Sequence, residues 1–207
     1  MKKVERSPVG RIHSGRPPDV VPPSASQSSL WKSQEGARGG GPWSSPAPGL
    51  ILGIDPGLAG TGFALFAEPN LVLSCSTVVT IPGRDGARLL AITNHLRAII
   101  TENPPAEASI EELFMGRNAT SAVGVAQARG AILNVLEECG VPVFEYKPSQ
   151  VKVILTGYGN ADKTQIGRML AAQVKMPEGK LDDHARDAIA IALCHARSRR
   201  FSRATIQ

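Results

Sequence analysis

The chain has 207 residues, 42% of them hydrophobic, and a formal net charge of +5. That length suits one domain with extensions, and no apolar run reaches the roughly 18–20 residues of a membrane-spanning helix. The N-terminus lacks the apolar segment of a secretory signal, and Cys75, Cys139 and Cys194 are too scattered for a disulfide framework or a zinc knuckle, so a reducing, cytoplasmic setting is expected. The charge is uneven. Residues 1–49 carry seven Lys/Arg against three acids, and residues 197–207 carry four Arg and no acid, which leaves 12 basic and 15 acidic residues in 50–196. A core with that balance can meet DNA only through a local basic patch and bound metal ions, not through a global field.

Residues 1–49 are rich in Pro, Gly, Ser and Arg, with no hydrophobic period, and read as a disordered extension. From residue 50 the texture changes. Leu50-Ile51-Leu52-Gly53-Ile54-Asp55-Pro56-Gly57 is an apolar strand with one acid near its end, turning through Pro and several glycines into a second, antiparallel strand. Leu71–Ile81 reads as a third strand. Asp85 is placed to cap a helix whose apolar face is Leu89, Leu90, Ile92, Leu96, Ile99 and Ile100. Ala108–Phe114 is a fourth strand. Ala119–Glu138 is a long helix with Val123, Ala126, Ala131, Leu133 and Leu136 as its stripe, and Val141–Tyr146 is a fifth strand. Helices follow over Pro148–Leu155, from an Asp162 cap to about Val174, and over roughly Asp182–Arg197. Arg197, Arg199, Arg200 and Arg203 read as a frayed basic tail, residues 197–207. Three successive strands followed by alternating helices and strands describe an α/β mixed five-stranded sheet with helices on both faces.

The acids carry the chemistry. Asp55 ends its strand, and a buried carboxylate is costly unless paired or metal-bound. In Ser109-Ile110-Glu111-Glu112, strand alternation allows only one of the two glutamates to share a side with a given neighbour, and Glu111 opposes Ile110. In Asp182-Asp183-His184-Ala185-Arg186-Asp187, helical spacing puts His184 and Asp187 on one face, with Asp183 nearly so. Asp182 reads as a complement to the helix dipole. The small apolar run Ala188–Leu193 lets this helix pack closely on a sheet, which brings Asp187 and His184 toward Asp55 and Glu111. Hard oxygen ligands with one imidazole suit Mg²⁺, with Mn²⁺ as a substitute, and two such ions hydrolyse phosphodiesters.

Five strings carry a resemblance: Ile51-Leu52-Gly53-Ile54-Asp55-Pro56-Gly57, Ile110 through Asn118, Ala126-Gln127-Ala128-Arg129-Gly130, Pro142-Val143-Phe144-Glu145-Tyr146, and His184-Ala185-Arg186-Asp187-Ala188. In this order and spacing, residues 50–196 resemble the bacterial Holliday-junction resolvase family RuvC. The resemblance implies a ribonuclease-H-like fold, a homodimer, Mg²⁺, paired symmetric nicking of a four-way junction, and contact with the RuvA–RuvB branch-migration complex. It makes Asp55, Glu111 and Asp187 the metal-binding acids. His184 falls where many members have Asp, and stands ahead of Asp183 as the fourth metal ligand. Lys152 and Lys163 match lysines that neutralise backbone phosphate, Arg117 and Asn118 fall in a loop that contacts the backbone, and Phe114 matches an aromatic that stacks at the junction centre. Other readings are a different ribonuclease-H-fold nuclease, a junction-binding module without activity, and an actin-like ATPase fragment that cradles phosphate in the Asp55–Gly62 turn.

Overall fold

The computed structural model describes residues 46–113 and 119–205. Residues 1–45 of the extension expected to be disordered, and the expected DNA contacts at Phe114, Arg117 and Asn118, lie outside these residues; Ala47–Gly49, the end of that expected extension, are instead part of the first strand.

Five strands form one sheet: β1 (Ala47–Asp55), β2 (Gly60–Ala67), β3 (Leu71–Val79), β4 (Pro105–Glu111) and β5 (Val143–Tyr146), in the order β3-β2-β1-β4-β5. The β1–β2 and β2–β3 pairs are antiparallel, and the β1–β4 and β4–β5 pairs are parallel. The expected hairpins and mixed sheet are therefore present. β1 is central, and Leu50–Ile54 is buried without a break because helices cover both faces.

On one face, α1 (Asp85–Glu102) and α2 (Ala119–Glu138) pack Ile92, Leu96, Ile100, Ala128, Ile132, Val135 and Leu136 against Leu52, Ile54, Phe63 and Ile110. On the other, α3 (Pro148–Thr156), α4 (Lys163–Gln173) and α5 (Asp183–Thr205) pack against Ile51, Ala64, Phe66 and Val72. Each large apolar side chain buried this way contributes about 1.5–3 kcal/mol relative to exposure.

Some expectations are corrected. Asp85 is the first residue of α1 rather than its cap; Arg84 occupies the cap position, with no side-chain hydrogen bond. Leu90 and Val123 face solvent, and the buried stripe of α2 is Ala128, Ile132, Val135 and Leu136. β4 starts at Pro105, where the missing N–H costs nothing at a strand's first residue. Asp162 caps α4 as expected, accepting from the Gln165 N–H at 2.8 Å while the Gln165 side chain accepts from the Asp162 N–H at 3.0 Å.

The largest difference concerns the basic C-terminal segment. Residues 197–205, read as a frayed tail, continue α5. Arg197 donates to the Ile154 carbonyl at 3.1 Å, and Arg199 bridges Glu68 at 2.9 Å and Glu107. Glu107 also accepts from His195, a nearly fully buried imidazole, at 2.8 Å. Paired carboxylates thus turn a basic stretch into a docked helix.

Candidate active site

Asp55 is the last residue of β1, and Glu111 is the last of β4. The parallel pairing sets Ile54 beside Ile110, so the two acids that follow stand side by side on adjoining strands. Alternation turns Ile54 and Ile110 into the α1–α2 core and Asp55 and Glu111 toward α5, which resolves the choice between Glu111 and Glu112.

α5 reaches this end of the sheet because glycine and alanine line its contact. A Cβ on Gly53 would fall 2.1 Å from the Ala188 carbonyl oxygen and 2.8 Å from the Ala192 methyl. One on Gly62 would fall 2.0 Å from the His184 carbonyl oxygen, and one on Gly60 2.6 Å from the His184 Nε2. No other residue type permits that approach. It lets His184 Nδ1 meet Asp55 Oδ2 at 2.8 Å. Asp55, as a carboxylate, only accepts, so Nδ1 carries the proton.

The charges interact strongly. Burial pushes the Glu111 carboxyl up to about 7, helped by the charges of Asp55 and Asp187. Burial likewise raises Asp187, with Asp55 adding to it and Lys163 opposing. The hydrogen bond to Asp55 raises His184. Separate elements thus bring Asp55, Glu111, Asp187 and His184 into one electrostatic cluster.

Asp183 faces elsewhere. Its carboxylate accepts from Lys163 Nζ at 3.0 Å and from Arg186 at 2.9 Å, and the lysine is the main cause of its lowered pKa. Lys163 in turn feels Asp187 and Asp55, so it flanks the cluster. Lys152 sits on α3. Arg129 pairs with Glu145, joining α2 to β5.

Among the described residues, no three His, Cys, Asp or Glu side chains stand at the spacing of a closed metal cage. The donor set nonetheless suits a hard divalent cation: Glu111 and Asp187, both raised by burial and by neighbouring negative charge, are short of the positive charge that such an ion brings. Sequence reasoning missed what holds α5 in place. Gly60 and Gly62 read as turn residues, yet they are the floor under His184.

The family model described as crossover junction endodeoxyribonuclease RuvC matches residues 51–195. The chain is 45% identical to crossover junction endodeoxyribonuclease RuvC of Roseiflexus sp. (strain RS-1) over 148 residues, 70% of this chain and 88% of that one. It is 43% identical to RuvC of Desulfitobacterium hafniense over 155 residues, 72% of this chain and 93% of that one. Among solved structures, T. thermophilus RuvC in complex with Holliday junction substrate aligns with a TM-score of 0.70 at 32% identity, covering 74% and 96% of the two chains. The yeast mitochondrial Holliday junction resolvase Ydc2 aligns at 0.52 with 12% identity, over 74% of this chain and 80% of that one, a likeness of fold alone. Sheet order, acidic cluster and sequence agree: this chain belongs to the RuvC family of crossover junction endodeoxyribonucleases.

Proposed function

We propose that this chain is a structure-selective endodeoxyribonuclease that resolves four-way DNA junctions by paired symmetric nicks, in recombination and repair. The observation that carries the reading is the meeting of Asp55, Glu111 and Asp187 from three elements, with His184 on Asp55, in a RuvC-family chain. In this reading the protein acts as a homodimer in the cytoplasm, alongside a RuvA–RuvB complex.

Asp55, Glu111, Asp187 and His184 would hold Mg²⁺, or Mn²⁺ in its place. Two bound ions would supply Lewis-acid activation of water and stabilisation of the leaving oxygen. The chain's own groups do the rest. Asp55 fixes the His184 tautomer with the proton on Nδ1, so that neutral His184 presents Nε2 as a lone pair for a ligand or a proton. Glu111, at about 7, changes protonation near neutrality and is ionised most readily when a cation is near. Lys163, beside the acids, offers a cation to a backbone phosphate, and Lys152, Arg117 and Asn118 extend that contact. Phe114 would stack on a base at the junction centre.

The phosphate-cradle reading of the Asp55–Gly62 turn loses its support, because His184 covers Gly60 and Gly62. The test offers a four-way junction, a linear duplex and an RNA–DNA hybrid with Mg²⁺ or Mn²⁺. Symmetric nicking of the junction is expected, and preference for either other substrate would sink the assignment. Asp55→Asn is expected to lower nicking at least about 100-fold while junction binding persists. Retained cleavage would refute its role.

A further inference from the structure

The sheet register places four residues in one transverse row. Thr77 of β3 is opposite Gly62 of β2, Gly62 is opposite Asp55 of β1, and Glu111 of β4 follows the pair that precedes Asp55. Neighbours in such a row point to the same face. Thr77 therefore shares the α5 face with the two strand acids, at the far end of their row.

Thr77 is not idle there. Its hydroxyl donates to Asp182 Oδ1 at 2.7 Å, and the same oxygen accepts from the Ala185 N–H at 2.9 Å. The Arg186 N–H meanwhile donates to the Asp182 carbonyl at 3.2 Å. Asp182 is thus the N-cap of α5, and Thr77 fastens that cap to the sheet edge. The first turn of α5 lies across the row like a bar, tied by Asp182 at one end and by His184 to Asp55 at the other. Gly62, between the two ties, leaves room for the His184 backbone.

We infer that Thr77 is a positioning residue, acting through Asp182 to hold His184 and Asp187 in register with Asp55 and Glu111. This rests on the proposed metal-dependent nuclease reading, and the test separates the two. Thr77→Val keeps the side chain's shape and leaves Asp182 free to cap the helix, but cuts the tie to β3. Thr77→Ser keeps the hydroxyl.

The intact chain is titrated with Mn²⁺ and followed by electron paramagnetic resonance, and single-turnover nicking of a bound four-way junction is timed in parallel. Thr77→Val is expected to weaken Mn²⁺ binding and slow nicking by about five- to tenfold, the scale of one ordinary hydrogen bond, since the Thr77–Asp182 bond is solvent-exposed and acts only through the helix cap. Junction affinity is expected to stay as in the wild type, and Thr77→Ser to restore both values. A Thr77→Val chain that melts earlier yet keeps wild-type Mn²⁺ affinity and nicking rate makes the tie a fold brace only, and overturns the inference. A wild-type chain that binds Mn²⁺ but leaves junctions intact overturns the substrate reading, while the Mn²⁺ comparison still decides the role of Thr77.

Discussion

Glu111→Gln is expected to make the chain more stable while destroying its activity. Glu111 is held near pH 7 by burial and by the charges of Asp55 and Asp187, against an ordinary 4.5. An acid whose pKa rises on folding favours the fold at low pH, where it is protonated in both states. That advantage is lost as pH rises through the folded value. At pH 8 the ionised Glu111 therefore costs the ion-free fold about 3 kcal/mol, and at pH 5 less than about 1 kcal/mol. Glutamine keeps the shape and carries no charge. Melting in EDTA, followed by circular dichroism at pH 5 and pH 8, reads the difference directly. The gain from Glu111→Gln is expected to grow with pH and to reach about 6–12 °C at pH 8. His184 and Asp187, also raised, push the wild type in the same direction, while His195 and His95, lowered by burial, push it the other way below about pH 6.5. Only the difference between variant and wild type isolates Glu111. Adding Mg²⁺ is expected to stabilise the wild type and not the variant. A variant no more stable than wild type at pH 8 in EDTA would falsify the claim that burial and the neighbouring acids strain the ionised Glu111.

The other expectations concern how the site is built. Gly62→Ala puts a methyl 2.0 Å from the His184 carbonyl oxygen, so α5 must shift; a loss of about 1–3 kcal/mol in denaturant titration is expected, with nicking falling further than junction binding. His184→Ala is expected to cost far more nicking than Asp183→Asn, because His184 meets Asp55 while Asp183 meets Lys163 and Arg186; equal losses in single-turnover assays would contradict that division. Lys163→Ala is expected to weaken junction binding and to lower the slope of log affinity against log salt by about 0.9, if the lysine leaves Asp183 for one phosphate. An unchanged slope rules that contact out.

How far the sequence foretold this site depends on the range of each signal. Asp55 was legible because a lone acid at the end of an apolar strand is expensive, and Glu111 because strand alternation separates it from Glu112. Asp187 and His184 were legible from helical spacing. The packing was harder to read. α2 carries Ala, Val, Gly and Leu on several sides, so its period left the phase open, and Val123 proved exposed. The end of α5 was misread because its polar Arg-rich run has no apolar period. Its stabilising partners Glu68 and Glu107 lie more than 90 residues away in the chain, in the turn between β2 and β3 and in β4. Asp182 looked like a dipole complement because the threonine that employs it is 105 residues distant. Local chemistry is written locally, whereas a tie between an edge strand and the last helix emerges only from the sheet register.

The far end of α5 bears on the near end. The ring of His195 lies between the Tyr146 hydroxyl and the Glu107 carboxylate, each at 2.8 Å, with Phe144 stacked on it at a centroid distance of 4.4 Å. Eleven residues separate His195 from His184, close to three full turns, so the two imidazoles differ by only about 20° around the helix axis. The buried histidine therefore sets the rotational phase of the whole rod, and the phase set there is what presents His184 to Asp55. One residue inserted between Ala188 and Cys194 would rotate one ring by about 100° and leave the two about 120° apart. Either the anchor or the cluster could then be satisfied, never both. The helix works as a shaft keyed at both ends, which ties the length of its plain alanine-rich middle to the chemistry at its tip.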